Sequence, residues 1–418
     1  MQKLKIATIG CGARARVYLS IIAKFTDQWE IVAGADPTAA RVDAVRRISN
    51  NPNFQSFESD KELLSAPKLA DIVIIATQDN YHYEPAKQAL LKGYHLLLEK
   101  PAGQTLEESL ELAELAKIHQ RRVILCFVLR YTNLYRKVKE IVDSGKLGQI
   151  ISLRASEGVG AWHQAHSYVR GHWNQSDECT PMIISKCTHD LDIIAWMMGQ
   201  RCRRVSSFGS LSYFHPENKN PAHPDRCFDA ADGAEECEYS AKNYFKEENK
   251  HWLSIIYPDP EGIEDTEKVK QWLANSKWGR NVFSCDNDVV DHQVVNMEFE
   301  NGATAALTMT AFDEGRTLDI YGTKASLRAG DALRHNFNTD LVVRHHLSRE
   351  VENVKIEDVQ CEGYAGHGGG DFGLAQSLYD LVTSDDPDGT LEKSIESHRI
   401  GFAAEASRLA KGAPIELF

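Results

Sequence analysis

The sequence predicts an α/β protein whose first third is a doubly wound parallel sheet. Three observations predict it. Apolar runs of strand length recur at 4–9, 31–35, 70–76, 95–98 and 122–127. Helix-period segments separate them, which is the rhythm of strand–helix–strand units. The residues closing these runs are Gly10, Asp36, Thr77, Asn80, Glu99 and Lys100. In such a sheet, ligands sit at the carboxyl ends of the strands.

The first strand leads into Gly10-Cys11-Gly12-Ala13-Arg14-Ala15 and a helix with Val17, Leu19, Ile21 and Ile22. This is the G-x-G-x-x-A order of a dinucleotide site. Gly10 permits a tight turn, Gly12 lets the backbone approach a pyrophosphate, and Ala15 lets helix and strand pack closely. Ala13 and Arg14 stand in the first turn, where free N–H groups and the positive dipole end face phosphates. Asp36 closes the second strand, where a carboxylate binds the adenosine ribose hydroxyls and repels a 2′-phosphate. Pro37 and Thr38 add no cation, so NAD is expected over NADP; Arg41 is the one neighbour that argues otherwise. A helix is expected over 84–92. Another starts at Thr105 as N-cap, with Glu107 and Glu108 in its first turn.

At 418 residues the chain is long enough for two or three domains. It is 42% hydrophobic and 26% charged, which allows a full core. The net charge of -13 argues against nucleic acid and anionic membrane as partners. The run 72–76 falls far short of a membrane span. The first apolar run ends in glycines rather than in a cleavage site, so a cytoplasmic location is expected. Nine scattered cysteines then read as free thiols.

The ordered set of motifs resembles the Gfo/Idh/MocA oxidoreductase family. It comprises residues 7–12 with 35–37, Ala76-Thr77 through His82, Glu99-Lys100-Pro101, 145–150, His189-Asp190-Leu191-Asp192, Asn301-Gly302-Ala303 and Tyr321-Gly322-Thr323. The resemblance implies a Rossmann domain over 1–127. It implies a C-terminal α/β domain over 128–418 with a large, open, mostly antiparallel sheet that faces the nicotinamide. It also implies hydride transfer at a secondary hydroxyl of a sugar, polyol or glycoside, and a homo-oligomer, dimer or tetramer, formed through that sheet. Thr77, Asn80, His82, Glu99 and Lys100 are expected to join the cofactor site.

Oxidising an alcohol needs a base for the hydroxyl proton and positive charge near the developing alkoxide. Lys100 supplies charge beside the nicotinamide on the resemblance, and His189 is the expected acid/base or substrate ligand. Residues 185–198 have helical spacing that sets Ser185, His189, Asp192 and Trp196 near one face. Asp192 is expected to orient or pack. Family members often carry an aspartate where this chain has Ser185. Lys186 is therefore expected to point into the pocket beside Lys100, and one of the two to be the neutral base. Arg130, Tyr131, Trp162, His163 and Trp173 are candidate sugar ligands. His163, His166 and His172 lack metal-ligand spacing, and no metal is expected.

An insertion over about 213–288 carries Cys227, Cys237 and Cys285, and Trp252, Trp272 and Trp278 suggest that it packs. A metal there is the less favoured reading, since a closed site wants four ligands. At Gly366-His367-Gly368-Gly369-Gly370-Asp371, His367 or Asp371 either reaches the cleft or simply opens the next helix. His398, on a helix over about 391–411, is expected to pack. Residues 384–389 read as a polar loop. Two other functions stay open. One is a glycosidase that keeps NAD and oxidises the ring only transiently; the other is a non-catalytic nucleotide-sensing regulator.

Overall fold

The computed structural model describes residues 3–231, 237–259, 262–330, 341–357, 366–384 and 390–418. All of the expected polar loop except Ser384 lies outside them. The first sheet holds β1 (Leu4–Ile9), β2 (Trp29–Ala35), β3 (Gln55–Phe57), β4 (Ile72–Ile75), β5 (His95–Leu98) and β6 (Val123–Leu125). Its order is β3-β2-β1-β4-β5-β6, with every pair parallel. The order reverses between β1 and β4, which opens a crevice where the glycine fingerprint lies. All four residues of β4 are buried, because helices cover both faces. Exposed β3 carries little apolar signal, and sequence reading missed it.

One face of this sheet is closed by the far end of the chain. Leu374, Ala375 and Leu378, from the helix Gly370–Thr383, share a core with Tyr18, Leu19, Ile22 and Trp29. Leu391 and Ile395 enter the core on the other face. Packing therefore crosses the 127/128 boundary.

The second sheet holds β7 (Ile150–Val159), β8 (Cys202–Ser210), β9 (His292–Phe299), β10 (Thr304–Thr310), β11 (Glu314–Gly322), β12 (Ala325–Gly330), β13 (Leu341–His345), β14 (Val351–Val354) and β15 (Ile415–Glu416). Its order is β14-β13-β12-β11-β7-β10-β9-β8-β15. Only β7 and β10 pair in parallel; the other neighbours are antiparallel, as expected. Alternation sends Gln293, Val295, Met297 and Phe299 of β9 inward. The helix Thr188–Met198 covers that inner face. The outer face leaves Ile151, Phe208 and Tyr321 exposed.

The helix expected over 185–198 is two helices. Met182–Ser185 ends, Lys186 sits at φ -105°, and Thr188–Met198 begins anew. The Thr188 hydroxyl donates to the Ile184 carbonyl at 2.9 Å, in place of the amide a continuous helix would offer. The carbonyl of Ser185 is released by the same break.

The insertion builds its own core from Tyr244, Leu253, Ile256, Val269, Leu273 and Trp278. Trp252 and Trp272 pack on it, and Trp272 stacks on Trp278 at 5.8 Å. Buried Arg170 ties it to the body through the carbonyls of Arg280 and Tyr239. Cys227, Cys237 and Cys285 are free thiols, and no metal-ligand cluster occurs among the described residues.

Candidate active site

The cofactor cradle follows from two glycines. Gly10 sits at φ +82°, and a Cβ there would stand 2.6 Å from the Ala76 carbonyl oxygen. A Cβ on Gly12 would meet nothing within 4 Å, so it borders open space at the start of the helix Ala13–Ile22. That helix has no side-chain cap, which leaves its first-turn amides for an anion. Asp36 Oδ2 accepts from the Cys11 amide and Oδ1 from the Thr38 amide, each at 2.9 Å. Asp36 thus fixes the fingerprint turn, and each oxygen keeps a lone pair for a ribose hydroxyl. A bound NAD would be held by Gly12, the first-turn amides and Asp36.

Four of the expected cofactor residues have other partners. The Arg14 guanidinium reaches Glu99 at 2.8 Å and Asp371 at 2.7 Å. Glu99 Oε1 also accepts from Tyr18 at 2.9 Å, while Oε2 accepts from the Lys100 amide at 3.1 Å. Burial pushes the Glu99 carboxyl up, but Arg14 and Lys100 outweigh it and hold it below its usual value. His82 is buried, with Nδ1 2.7 Å from the Pro101 carbonyl and Nε2 3.2 Å from the Thr77 carbonyl. It clamps the loops after β4 and β5 together instead of facing the crevice. Thr77 donates to the Tyr81 carbonyl at 2.9 Å, and Asn80 lies exposed on a cleft of about 530 Å³. Trp173, Asp79 and Lys277 also line this cleft.

Lys100 crosses from β5 to the second domain and donates from Nζ to the carbonyl of Ser185. Burial pushes its ammonium below the usual range. Asp79 and Glu99 oppose this, while Lys186 and Arg14 add to it. His189 is buried, and its Nδ1 has no hydrogen-bond partner among the described residues. Burial, then the charges of Lys100, His367, Arg316 and Lys186, hold His189 well below its ordinary value. It is therefore a neutral imidazole at physiological pH. His163 is lowered in the same way by burial, Lys186, His166 and Lys100, which places it at the same site.

Lys186 does lie near Lys100, as expected, but its Nζ is already engaged. Its Nζ forms an ion pair with Glu157 on β7 at 3.0 Å. Glu157 also meets Arg316 at 2.9 Å, and Arg316 meets Asp190 at 2.8 Å. The Lys186 ammonium is thus engaged by Glu157, while burial pushes the Lys100 ammonium down. Sequence reading missed Glu157 and Arg316. The acid occupies an inward position of a strand, a placement visible only once register is known.

Arg130 is likewise withdrawn from the cleft. It grips Asp192 with two nitrogens at 2.7 and 2.6 Å, both residues buried. Asp192 therefore orients Arg130. Tyr131 packs against the core beneath the helix Gly370–Thr383, under the guanidinium of Arg136. Trp162 turns edge-on to Tyr244 of the insertion at 5.1 Å, so it serves that core. Trp173 lies 6.0 Å from the Tyr168 ring.

Lys100 thus closes a Rossmann strand beside the dinucleotide cradle, and its charge acts on buried His189. The model of the Gfo/Idh/MocA oxidoreductase family with its NAD-binding Rossmann fold matches residues 4–127. The model of that family's C-terminal α/β domain matches 139–358. The chain belongs to the Gfo/Idh/MocA family. It is an NAD-binding oxidoreductase. YteT of Bacillus subtilis (strain 168), named as no more than an oxidoreductase, is 24% identical over 388 residues, covering 88% of this chain and 87% of YteT. Inositol 2-dehydrogenase of Corynebacterium glutamicum (strain R) is 28% identical over 223 residues, covering 53% of this chain and 60% of that protein. The chain thus spans most of one relative and little over half of the other. Two solved structures share the fold. Scyllo-inositol dehydrogenase from Lactobacillus casei, with bound NAD(H) and scyllo-inositol, has a TM-score of 0.65 at 17% identity, covering 100% of this chain and 99% of that one. Levoglucosan dehydrogenase, with NADH and levoglucosan, has a TM-score of 0.69 at 18% identity, covering 100% of both chains.

Proposed function

We propose that this oxidoreductase oxidises a secondary hydroxyl of a sugar, polyol or glycoside. The observation that carries the reading is Lys100. Its buried ammonium, depressed below the usual range, is fixed by the Ser185 carbonyl beside neutral His189. NAD, when bound, supplies the hydride acceptor. In its neutral amine form Lys100 takes the hydroxyl proton, and the ammonium so formed steadies the oxygen. His189 binds that oxygen as a neutral imidazole. Glu157 and Arg316 fix Lys186 and Asp190 as the charged floor. The polyol-active proteins named above support the same substrate class.

The test follows reduced-nicotinamide absorbance with NAD and a panel of free polyols, sugars and glycosides. A stoichiometric rise with one class supports the dehydrogenase and names its substrate. Sugar released from a glycoside with no net NADH would replace this reading with redox-assisted hydrolysis. Silence on both counts, with NADH still bound, would leave the nucleotide sensor. Association through the exposed outer face of the second sheet belongs to the same proposal, and light scattering of the purified chain tests it.

A further inference from the structure

Each oxidation leaves a proton in an enclosed place. As the carbon–hydrogen pair of electrons leaves for the nicotinamide, the O–H bond also breaks, C=O forms, and one proton stays on the protein. His189 is buried and Lys100 is half-buried against Ser185. His189 is screened from bulk water.

One ring bridges the two environments. His367 has a side chain 39% exposed, and its centroid lies 6.2 Å from that of His189. Its Nδ1 lies 3.0 Å from Asp371 Oδ2. Burial pushes the Asp371 carboxyl up, but His367 and Arg14 outweigh it and hold it at about 2. A carboxylate only accepts, so Nδ1 is the donor, and a neutral ring carries its lone pair on Nε2. That Nε2 has no hydrogen bond among the described residues. His189 Nδ1, also without a partner among the described residues, is a buried polar atom that calls for one, and the His367 ring stands beside the His189 ring. The backbone is shaped for this placement. His367 sits at φ 52°, followed by Gly368 at 60° and Gly369 at 81°. A left-handed non-glycine residue is costly and needs surroundings that hold it. Here Asp371, itself gripped by Arg14, supplies them.

We propose that His367, oriented by Asp371, is the proton exit of this site. It accepts the proton released at Lys100 and His189 on Nε2 and delivers it to solvent. The proposal rests on the dehydrogenase reading. It extends that reading with a residue outside the Lys100–His189 pair, on an element more than 170 positions further along the chain. Among the described residues, His367 interacts with Asp371 on its own segment and His189 on the helix above, and Arg14 on the fingerprint helix holds Asp371. Arg130, on the neighbouring turn Val128–Tyr131, binds Asp192.

The test uses the full chain with NAD. Nitrogen-15 spectra of labelled histidine should show His367 protonated on Nδ1 at pH 8; a ring protonated on Nε2 overturns the relay by itself. With the alcohol that the wild type oxidises, His367→Gln should lower kcat by roughly tenfold or more. NADH affinity should stay within about twofold, and added imidazole should restore the lost rate, as expected for a missing proton carrier. Full turnover in the variant, or a loss that imidazole leaves untouched, overturns the relay while the dehydrogenase stands. A wild type that oxidises nothing overturns the dehydrogenase reading, and the relay falls with it.

Discussion

Lys100 donates from its ammonium to the carbonyl of Ser185, a carbonyl that a continuous helix would have kept for itself. The break at 186–187 therefore docks the Rossmann domain's lysine onto the helices Met182–Ser185 and Thr188–Met198. This divides the roles of Lys100 in a testable way. Lys100→Met removes both base and charge and should cut turnover by about a thousandfold or more. Lys100→Arg keeps a charge but cannot give up its proton, so it should be nearly as inactive. Both should bind NADH normally by fluorescence titration. Substantial activity in the arginine variant would move the base elsewhere.

Gly10 and Gly12 separate fold from cofactor binding. Gly10→Ala places a Cβ 2.6 Å from the Ala76 carbonyl at a left-handed φ, so the protein should lose stability and its melting temperature should fall by several degrees. Gly12→Ala meets no protein atom, and its melting temperature should hold. Its methyl group stands where the backbone must approach a pyrophosphate. NADH affinity should drop roughly tenfold, about 1.4 kcal/mol. A Gly12→Ala variant that binds NADH as the wild type does would displace the phosphates from this turn.

The strands, the glycine turn and Asp36 were legible because each rests on local chemistry. A buried strand needs apolar residues, a tight turn needs glycine, and Thr105 with Glu108 forms the capping box that its spacing announces. What escaped depends on partners remote in the chain. Arg14 looked like a phosphate ligand until Asp371, 357 positions away, took its guanidinium. Arg130 looked like a sugar ligand until Asp192 closed on it. The helix over 185–198 looked continuous because periodicity records which faces are apolar and not which carbonyls are satisfied. Lys186 could be placed near Lys100, but its ion pair with Glu157 needs the register of β7.

The Arg14 network should be structural before it is catalytic. Its guanidinium neutralises Glu99 and Asp371, both buried. Arg14→Met leaves two carboxylates without their counter-charge, and truncating one partner of a buried pair costs roughly 3 kcal/mol. Denaturant unfolding should show a loss of that order. NADH affinity, measured where the variant is still folded, should change by less than about threefold, under 0.7 kcal/mol. A variant of normal stability with weak NADH binding would return Arg14 to the phosphates.

Acid stability should be set by histidines. Burial lowers His398 to about 4, His166 to about 3 and, with nearby cations, His172 and His95 to about 4. His189 and His163 are lowered too, chiefly by burial. In the folded chain these rings stay neutral; in the unfolded chain they protonate below their ordinary value of 6.5. Below that pH the unfolded state binds more protons, so stability falls as pH drops from about 6.5 toward 4. Asp371, at about 2, adds its loss only below the ordinary carboxylate range. His398 is fully buried and its Nε2 accepts from the Ala102 amide at 3.0 Å, just past the Lys100–Pro101 bond. Alone it should cost about 2 kcal/mol at pH 5. His398→Gln should be less stable than wild type at pH 8, by about 1–3 kcal/mol for the disturbed hydrogen bond. It should then lose less than wild type between pH 7.5 and 5. A wild-type melting temperature that stays level across that interval would contradict the neutral, enclosed state of these rings.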